Sequence, residues 1–237
     1  MNSKFTSIGS VDEAIGEFVD SDDAPPRPPL KGLLSKHPDD ERERQRLIRS
    51  KRGKFDFESV PHPMIPTYKD KGWEVQKMNK NTARMKRDKL PGKDLEDRLW
   101  TVLAKMDFDW ISEPDNFRLQ ITNNKSTTPK QIDAFAIDEG AVMIFECKSS
   151  AKPTKKSMRD TLQAIVGMRD FVQKDLNKKL RKLHAVKWSL VLSNIELNQS
   201  DRSYAEENDI DIIDDNLISY YEDLRKHTGL VSRYQFL

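Results

Sequence analysis

Thiol is almost absent from this chain: Cys147 is the single cysteine in 237 residues. An internal disulfide framework is thereby excluded, and a reducing compartment is expected. Histidine is scarce as well. His37, His62, His184 and His227 lie far apart, and none stands at zinc-site spacing from a cysteine. No N-terminal apolar run has the form of a signal peptide, and no stretch approaches the ~20 apolar residues that span a bilayer. The expectation is a cytoplasmic protein with no membrane partner. The net charge of +2 is too small to argue for nucleic-acid binding by itself. Hydrophobic residues make up 36% and charged residues 34%, so part of the chain is expected outside any core.

The charge that is present comes in blocks. The stretch "VDEAIGEFVDSDD" is acidic, whereas "RERQRLIRSKRGK" and "KDKGWEVQKMNKNTARMKRDK" are strongly basic. Such local runs can contact phosphate even in a nearly neutral chain. Residues 1–60 read as a disordered or partly helical extension. "DDAPPRPPLKG" favours extended, polyproline-like structure, and "HPDDERERQRLIRSKRGK" lacks a good apolar stripe. A solvated arm and a DNA-contacting arm both account for it. Residues 61–92 read as a basic connecting segment with one short strand at "GWEVQKM".

From Lys93 the pattern becomes globular. "KDLEDRLWTVLAKM" sets Leu95, Leu99, Val102 and Met106 on one helical stripe. "FRLQIT" alternates like a strand, and two more strands flank the turn "IDEG". A long amphipathic helix with Met158, Leu162, Ile165 and Val172 inward follows. "AVKWSLVLSN" has the continuous apolar run of a central strand. A short helix at "SDRSYAEEN", a strand at "DIDIID" and a closing helix complete the chain. This order predicts an α/β fold, a three-layer α/β/α sandwich around a mixed sheet.

Charges stand out in the hairpin "QIDAFAIDEGAVMIFECKSS". Strand alternation puts Glu146 and Lys148 on one face and Phe145 and Cys147 on the other. Asp133, on the preceding strand, is brought near Glu146 by the pairing. Two carboxylates held together repel, and a hard divalent cation resolves that conflict. Mg²⁺ suits such a site, and a lysine beside it can stabilise charge on a phosphate. In so charged a chain a Glu-x-Lys triplet alone reads as a surface ion pair. The acid on the neighbouring strand is what adds weight to it.

"ID" at Ile132–Asp133 followed by "IFECK" at Ile144–Lys148 resembles the PD-(D/E)xK nuclease superfamily, of restriction-endonuclease-like fold. The resemblance implies a metal-dependent endonuclease acting on DNA. Asp133 and Glu146 would be metal ligands, with the backbone carbonyl of Cys147 adding another, and Lys148 would be the catalytic lysine. Glu96 in "KDLEDRLW" matches the superfamily's acid in the helix before the sheet, a further metal ligand. Gln163 in "TLQAIVGM" matches its glutamine on the helix after the lysine, an active-site residue. Mg²⁺ is the implied cofactor, with Mn²⁺ able to substitute.

"LVLSNIELNQSDRSYAEENDIDIIDDNLI" is similar to the end of Mrr-like domains, so residues 93–237 are expected to form the nuclease-like domain. Ile132 stands where the superfamily's name places proline, and the tyrosine of RecB-like members is absent. The basic segment before the core, and the end at "SRYQFL", also resemble the front of DGQHR-domain proteins, which implies a further domain or partner beyond the C-terminus. Cutting both strands of DNA needs two sites, hence a homodimer. The alternative is a module that keeps the fold and binds nucleic acid, or another partner, without cutting.

Asp97 reads as a solvated acid, and Cys147 as a buried small hydrophobe rather than a nucleophile. Lys152, Lys155, Lys156 and Arg159 suit either phosphate contacts or a solvated loop.

Overall fold

Consecutive apolar residues on three strands dictate the centre of the molecule. "AFAID", "AVMIF" and "WSLVL" are buried at every position, which requires cover on both faces of the sheet they share. The computed structural model describes residues 29–228 except 107, 116, 124–125, 139 and 181–184. The acidic N-terminal stretch, most of the proline-rich run, Glu139 of the "IDEG" turn and the terminal "SRYQFL" lie outside the described residues.

The elements in chain order are β1 (Leu33–Leu34), α1 (Pro38–Lys51), β2 (Phe55–Pro61), a 3-10 turn (His62–Met64), α2 (Ile65–Asp70), β3 (Glu74–Met78) and β4 (Thr82–Asp88). Next come α3 (Pro91–Leu103), β5 (Trp110–Ser112), β6 (Arg118–Asn123), β7 (Ser126–Gln131), β8 (Ala134–Asp138) and β9 (Ala141–Lys155). The chain continues through α4 (Arg159–Leu180), β10 (Ala185–Glu196), α5 (Gln199–Glu207), β11 (Ile210–Ile213) and α6 (Asp215–Thr228).

The main sheet has the order β1-β5-β8-β9-β10-β11. Pairing is antiparallel from β1 to β9 and parallel from β9 to β11. The parallel strands are joined by α4 and α5, as crossovers of this kind require. On one face Phe145, Cys147, Val191 and Ile213 pack with Ile48 of α1, Leu95 and Leu99 of α3, and Ile218 of α6. On the other, Val142, Ile144, Trp188 and Leu190 pack with Leu162, Ile165, Val172 and Leu176 of α4 and Ala205 of α5. The fold is the three-layer α/β/α sandwich with a mixed sheet.

Polar ties fix the helices. Asp201 accepts hydrogen bonds from Ser157 Oγ and Met158 N, both at 2.8 Å, which anchors the start of α4 to α5. Arg98 reaches Asp215 and Glu222 at 3.2 and 3.1 Å, joining α3 to α6.

One local reading needs correction, and two gain detail. "FRLQIT" falls on β6, which among the described residues pairs with β7 alone in a separate two-stranded sheet. The main sheet instead takes β5 and β1, each too short to show alternation. Residues 38–51 are a full helix against the core, with Ile48 buried. That helix spreads its buried face over Ile48 and the stems of Arg44 and Lys51, so its apolar stripe is thin. Residues 55–88 form an antiparallel sheet of order β2-β4-β3. It has a small core of its own, Val60, Trp73, Ala83 and Met85. The expected boundary at residue 60 therefore falls inside β2.

Candidate active site

The β8–β9 ladder ends at the pair Ala134–Phe145, and the charged residues begin immediately beyond it. On its other side β9 stays paired with β10, which sets Glu146 opposite Leu190 and Lys148 opposite Leu192. Glu146 and Lys148 thus share the α4 face with Ile144, while Cys147 is buried on the α3 face. That is the alternation read from the sequence.

Past the ladder, the N–H of Cys147 has no β8 residue to receive it. Asp133 Oδ2 takes it at 2.7 Å. Within a strand the N–H and C=O of one residue point to the same side, so the Cys147 carbonyl is directed towards Asp133 too. Lys148 Nζ donates to Glu146 Oε1 at 2.6 Å, and Lys130 of β7 approaches Glu146 Oε2 at 4.0 Å. Lys130 escaped the sequence reading. Its position three residues before Asp133, on the strand leading into the hairpin, was the available signal.

The electrostatics agree with a crowded acid pair. Burial first, and the charge of Glu146 second, push the Asp133 carboxyl above its ordinary pKa, against the pull of the Cys147 N–H. Burial and the charge of Asp133 likewise push Glu96 up, which places Glu96 of α3 within reach of the same field. Burial opposes the charge on Lys148, but its bond to Glu146 together with the charges of Glu146 and Asp133 outweighs burial and raises its pKa. Burial holds the Cys147 thiol well above its usual range, so it serves as a packed apolar group and not as a nucleophile.

Asp133 is fixed to the Cys147 N–H and Glu146 to Lys148, but these acids and Glu96 do not form a finished metal cage. Among the described residues no three His, Cys, Asp or Glu side chains are gathered as a metal site. The reason is visible in their partners: Glu146 is drawn to Lys148, and Asp133 to the Cys147 N–H. The donor set still suits a hard cation, being two carboxylates and a carbonyl whose acids repel one another. Gln163 lies exposed on α4, one residue beyond buried Leu162, and is hydrogen-bonded to none of these side chains.

Asp97 is the larger surprise, since it is buried and not solvated. Its side chain is 4% exposed and receives Lys51 Nζ at 2.5 Å, Lys89 Nζ at 2.6 Å and Lys93 Nζ at 3.0 Å. Lys51 and Lys93 also contact Asp115. Burial works against the Asp97 charge, but the bonds from Lys51 and Lys89 outweigh it and lower its pKa. The adjacent acids Glu96 and Asp97 thus diverge, one towards the hairpin and one into a lysine cluster. Sequence spacing gave no means to choose between them.

No family model matches the chain, and no curated protein matches it. Solved structures offer loose likenesses. A protein from Vibrio cholerae, VC1899, is 14% identical with a TM-score of 0.41, over 70% of this chain and 40% of that one. Can2 from Sulfobacillus thermosulfidooxidans, in complex with cyclic tetra-adenylate, is 13% identical with a TM-score of 0.35, over 78% and 51%. A repair endonuclease from Pyrococcus abyssi is 14% identical with a TM-score of 0.30, over 60% and 65%. The chain thus spans between 40% and 65% of the length of these structures.

Proposed function

We propose that the protein is a Mg²⁺-dependent nuclease that hydrolyses DNA phosphodiester bonds at the end of the β8–β9 hairpin. The observation that carries this reading is that Asp133 is fixed to the Cys147 N–H where the ladder stops, between Glu146 and Lys148 in the β9 sequence. Asp133, Glu146 and the Cys147 carbonyl would hold Mg²⁺, or Mn²⁺ in its stead, with Glu96 near enough to assist. When bound, such an ion acts as a Lewis acid on the phosphate and eases deprotonation of a water molecule.

The remaining work falls to the chain's own side chains. Lys148, kept protonated by its surroundings, serves as a cation and not as a base. Once Glu146 turns to other partners, the ammonium is available to the phosphate and stabilises the negative charge that builds during attack. Water oxygen bonds to phosphorus, the bond to one sugar oxygen breaks, and that oxygen leaves with a proton. Burial of Cys147 and Phe145 beneath the site keeps the strand from shifting. Gln163, exposed on the helix that covers this face, would contact substrate and not the ion.

One observation favours a second reading, a nucleic-acid-binding module that does not cut: Lys148 is closed onto Glu146 at 2.6 Å. Plasmid and oligonucleotide substrates incubated with the protein in Mg²⁺, Mn²⁺ or EDTA separate the two. Cleavage that needs a divalent ion and disappears in Asp133→Asn and Lys148→Ala supports the nuclease. Cleavage that persists in those variants overturns it, and binding without cleavage in any ion favours the second reading.

A further inference from the structure

The sheet β2-β4-β3 has two faces with different chemistry. Alternation turns Val60, Ala83, Met85 and Val75 inward, where they pack with Trp73. Asp56 and Glu58 turn the same way, bonding to Arg87 and to the Tyr68 hydroxyl. The inner face is therefore complete, with its acids already engaged. The outer face carries Phe55 and Phe57, which are 38% and 44% exposed. Nothing in the sheet's own core needs those rings.

Cations stand beside both rings. Arg84 lies over the Phe57 ring at 4.5 Å and Lys86 over Phe55 at 5.2 Å. Lys77 is paired with Arg84 across the β3–β4 ladder and is exposed on the same face. The acids on this face are Glu74, at 3.4 Å from Lys86, and Asp88, which lies opposite Phe55 at the rooted end. Towards Ser59 and Lys77 the face is basic.

An apolar partner would have to bury Arg84 and Lys77 together with Lys86, whose charge alone is met by Glu74 at 3.4 Å, which is costly. A polyanion with flat apolar groups satisfies both features at once, because aromatic side chains stack on bases while Arg and Lys meet phosphates. Spacing selects the form of that polyanion. The Phe55 and Phe57 centroids are 6.4 Å apart and tilted by 59°, whereas bases in a duplex strand rise by about 3.4 Å. Bases seated on these rings cannot remain stacked on each other.

We infer that the outer face of this sheet binds a single-stranded stretch of nucleic acid, with bases on Phe55 and Phe57 and phosphates on Lys77, Arg84 and Lys86. The surface names a substrate class for the carboxylate site, and in that respect it rests on the nuclease reading; binding itself does not depend on cutting.

The test measures fluorescence anisotropy of labelled mixed-sequence oligonucleotides, single-stranded and duplex, against the full chain in EDTA. The single strand binds more tightly than the duplex. Phe55→Ala with Phe57→Ala weakens single-strand binding at least about tenfold, while Phe171→Ala, an equally exposed ring on α4, leaves it unchanged. Arg84→Ala lowers the slope of log affinity against log salt by about 0.7.

Phe57→Leu, which keeps the bulk and removes the aromatic face, guards against a folding defect and also weakens binding. The inference is overturned if the wild type binds no single strand, if the double variant binds as the wild type does, or if duplex is preferred. It is equally overturned if Phe57→Ala converts a dimer into monomers, because the face is then an interface between copies. Lys148→Ala protein that binds but does not cut, beside platform variants that keep their response to Mg²⁺, tells a failed platform from a failed nuclease site.

Discussion

Asp133 accepts the backbone N–H of Cys147 at 2.7 Å, just beyond the last β8–β9 ladder pair. A side chain here completes a strand's hydrogen bonding where the neighbouring strand has ended. The carboxylate is thereby held at the edge of β9 instead of swinging into solvent, and several measurable consequences follow from that restraint.

The first concerns pH. The folded state raises the Asp133 pKa, through burial and the charge of Glu146, so the protonated acid is favoured more in the fold than in the unfolded chain. Its contribution to stability is full below the ordinary value of about 3.9 and is lost as pH rises through the raised value. Asp133→Asn keeps an acceptor for the Cys147 N–H and removes the repulsion. Urea unfolding of this variant and the wild type, at intervals from acid to neutral pH, should show the variant gaining relative stability as pH rises. A constant difference across the series would contradict the raised pKa.

A divalent ion should relieve the same repulsion. At a concentration one hundred times its Kd, Mg²⁺ or Mn²⁺ is expected to stabilise the wild type by about 2.7 kcal/mol. The corresponding rise in melting temperature should vanish in Asp133→Asn and Glu146→Gln. Calorimetric melting with and without EDTA measures this directly, with no reference to cleavage.

Lys148 is expected to split binding from chemistry. Lys148→Ala frees the Glu146 carboxylate now bonded at 2.6 Å, so its affinity for Mg²⁺ should rise. Cleavage should fall by about a hundredfold or more, because the cation for the developing charge is gone. Stability should change little, since half-exposed ion pairs contribute about 0–1 kcal/mol. Gln163→Ala provides the contrast, with unaltered ion binding and a higher KM. Equal loss of ion binding and cleavage in Lys148→Ala would assign that lysine to structure.

Asp97 should prove essential to folding. Removing it leaves buried Lys89 without its carboxylate and Lys51 with only the longer contact to Asp115 at 3.4 Å, at a cost of about 3–5 kcal/mol. The neighbouring exposed Asp94 should change stability by about 0.5 kcal/mol or less when replaced by Ala. Urea midpoints of the two alanine variants make the comparison. Because the Asp97 pKa is lowered by its lysine bonds, its stabilisation is present above the ordinary carboxylate value. It is lost as pH falls through the lowered one.

The sequence made the layered core legible because long apolar runs and a 3.6-residue stripe report burial directly. Ile144 beside Glu146 and Phe145 beside Cys147 could be sorted to their faces by alternation alone. Hairpin pairing likewise pointed to Asp133 as the acid at the end of the β8–β9 ladder. It could not show that Asp133 binds the Cys147 N–H or that Lys148 closes onto Glu146, since side-chain partners depend on where a ladder stops. Nor could it show that Asp97, adjacent to Glu96 on α3 and read as solvated, is buried among lysines. The basic stretches misled for a related reason. Lys51 and Lys89 look like solvated charge in the sequence, yet their stems and ammonium groups are taken up around Asp97.

Strand β9 runs for 15 residues, buried without interruption to Phe145 and increasingly exposed beyond Lys148. One continuous element therefore answers to two kinds of selection. Changes between Ala141 and Phe145, and at buried Cys147, are expected to reduce how much protein survives in the cell, whereas changes at Glu146 and Lys148 are expected to alter what the surviving protein does. A screen that reads abundance and activity separately should find the line between them within two residues of the place where β8 ends.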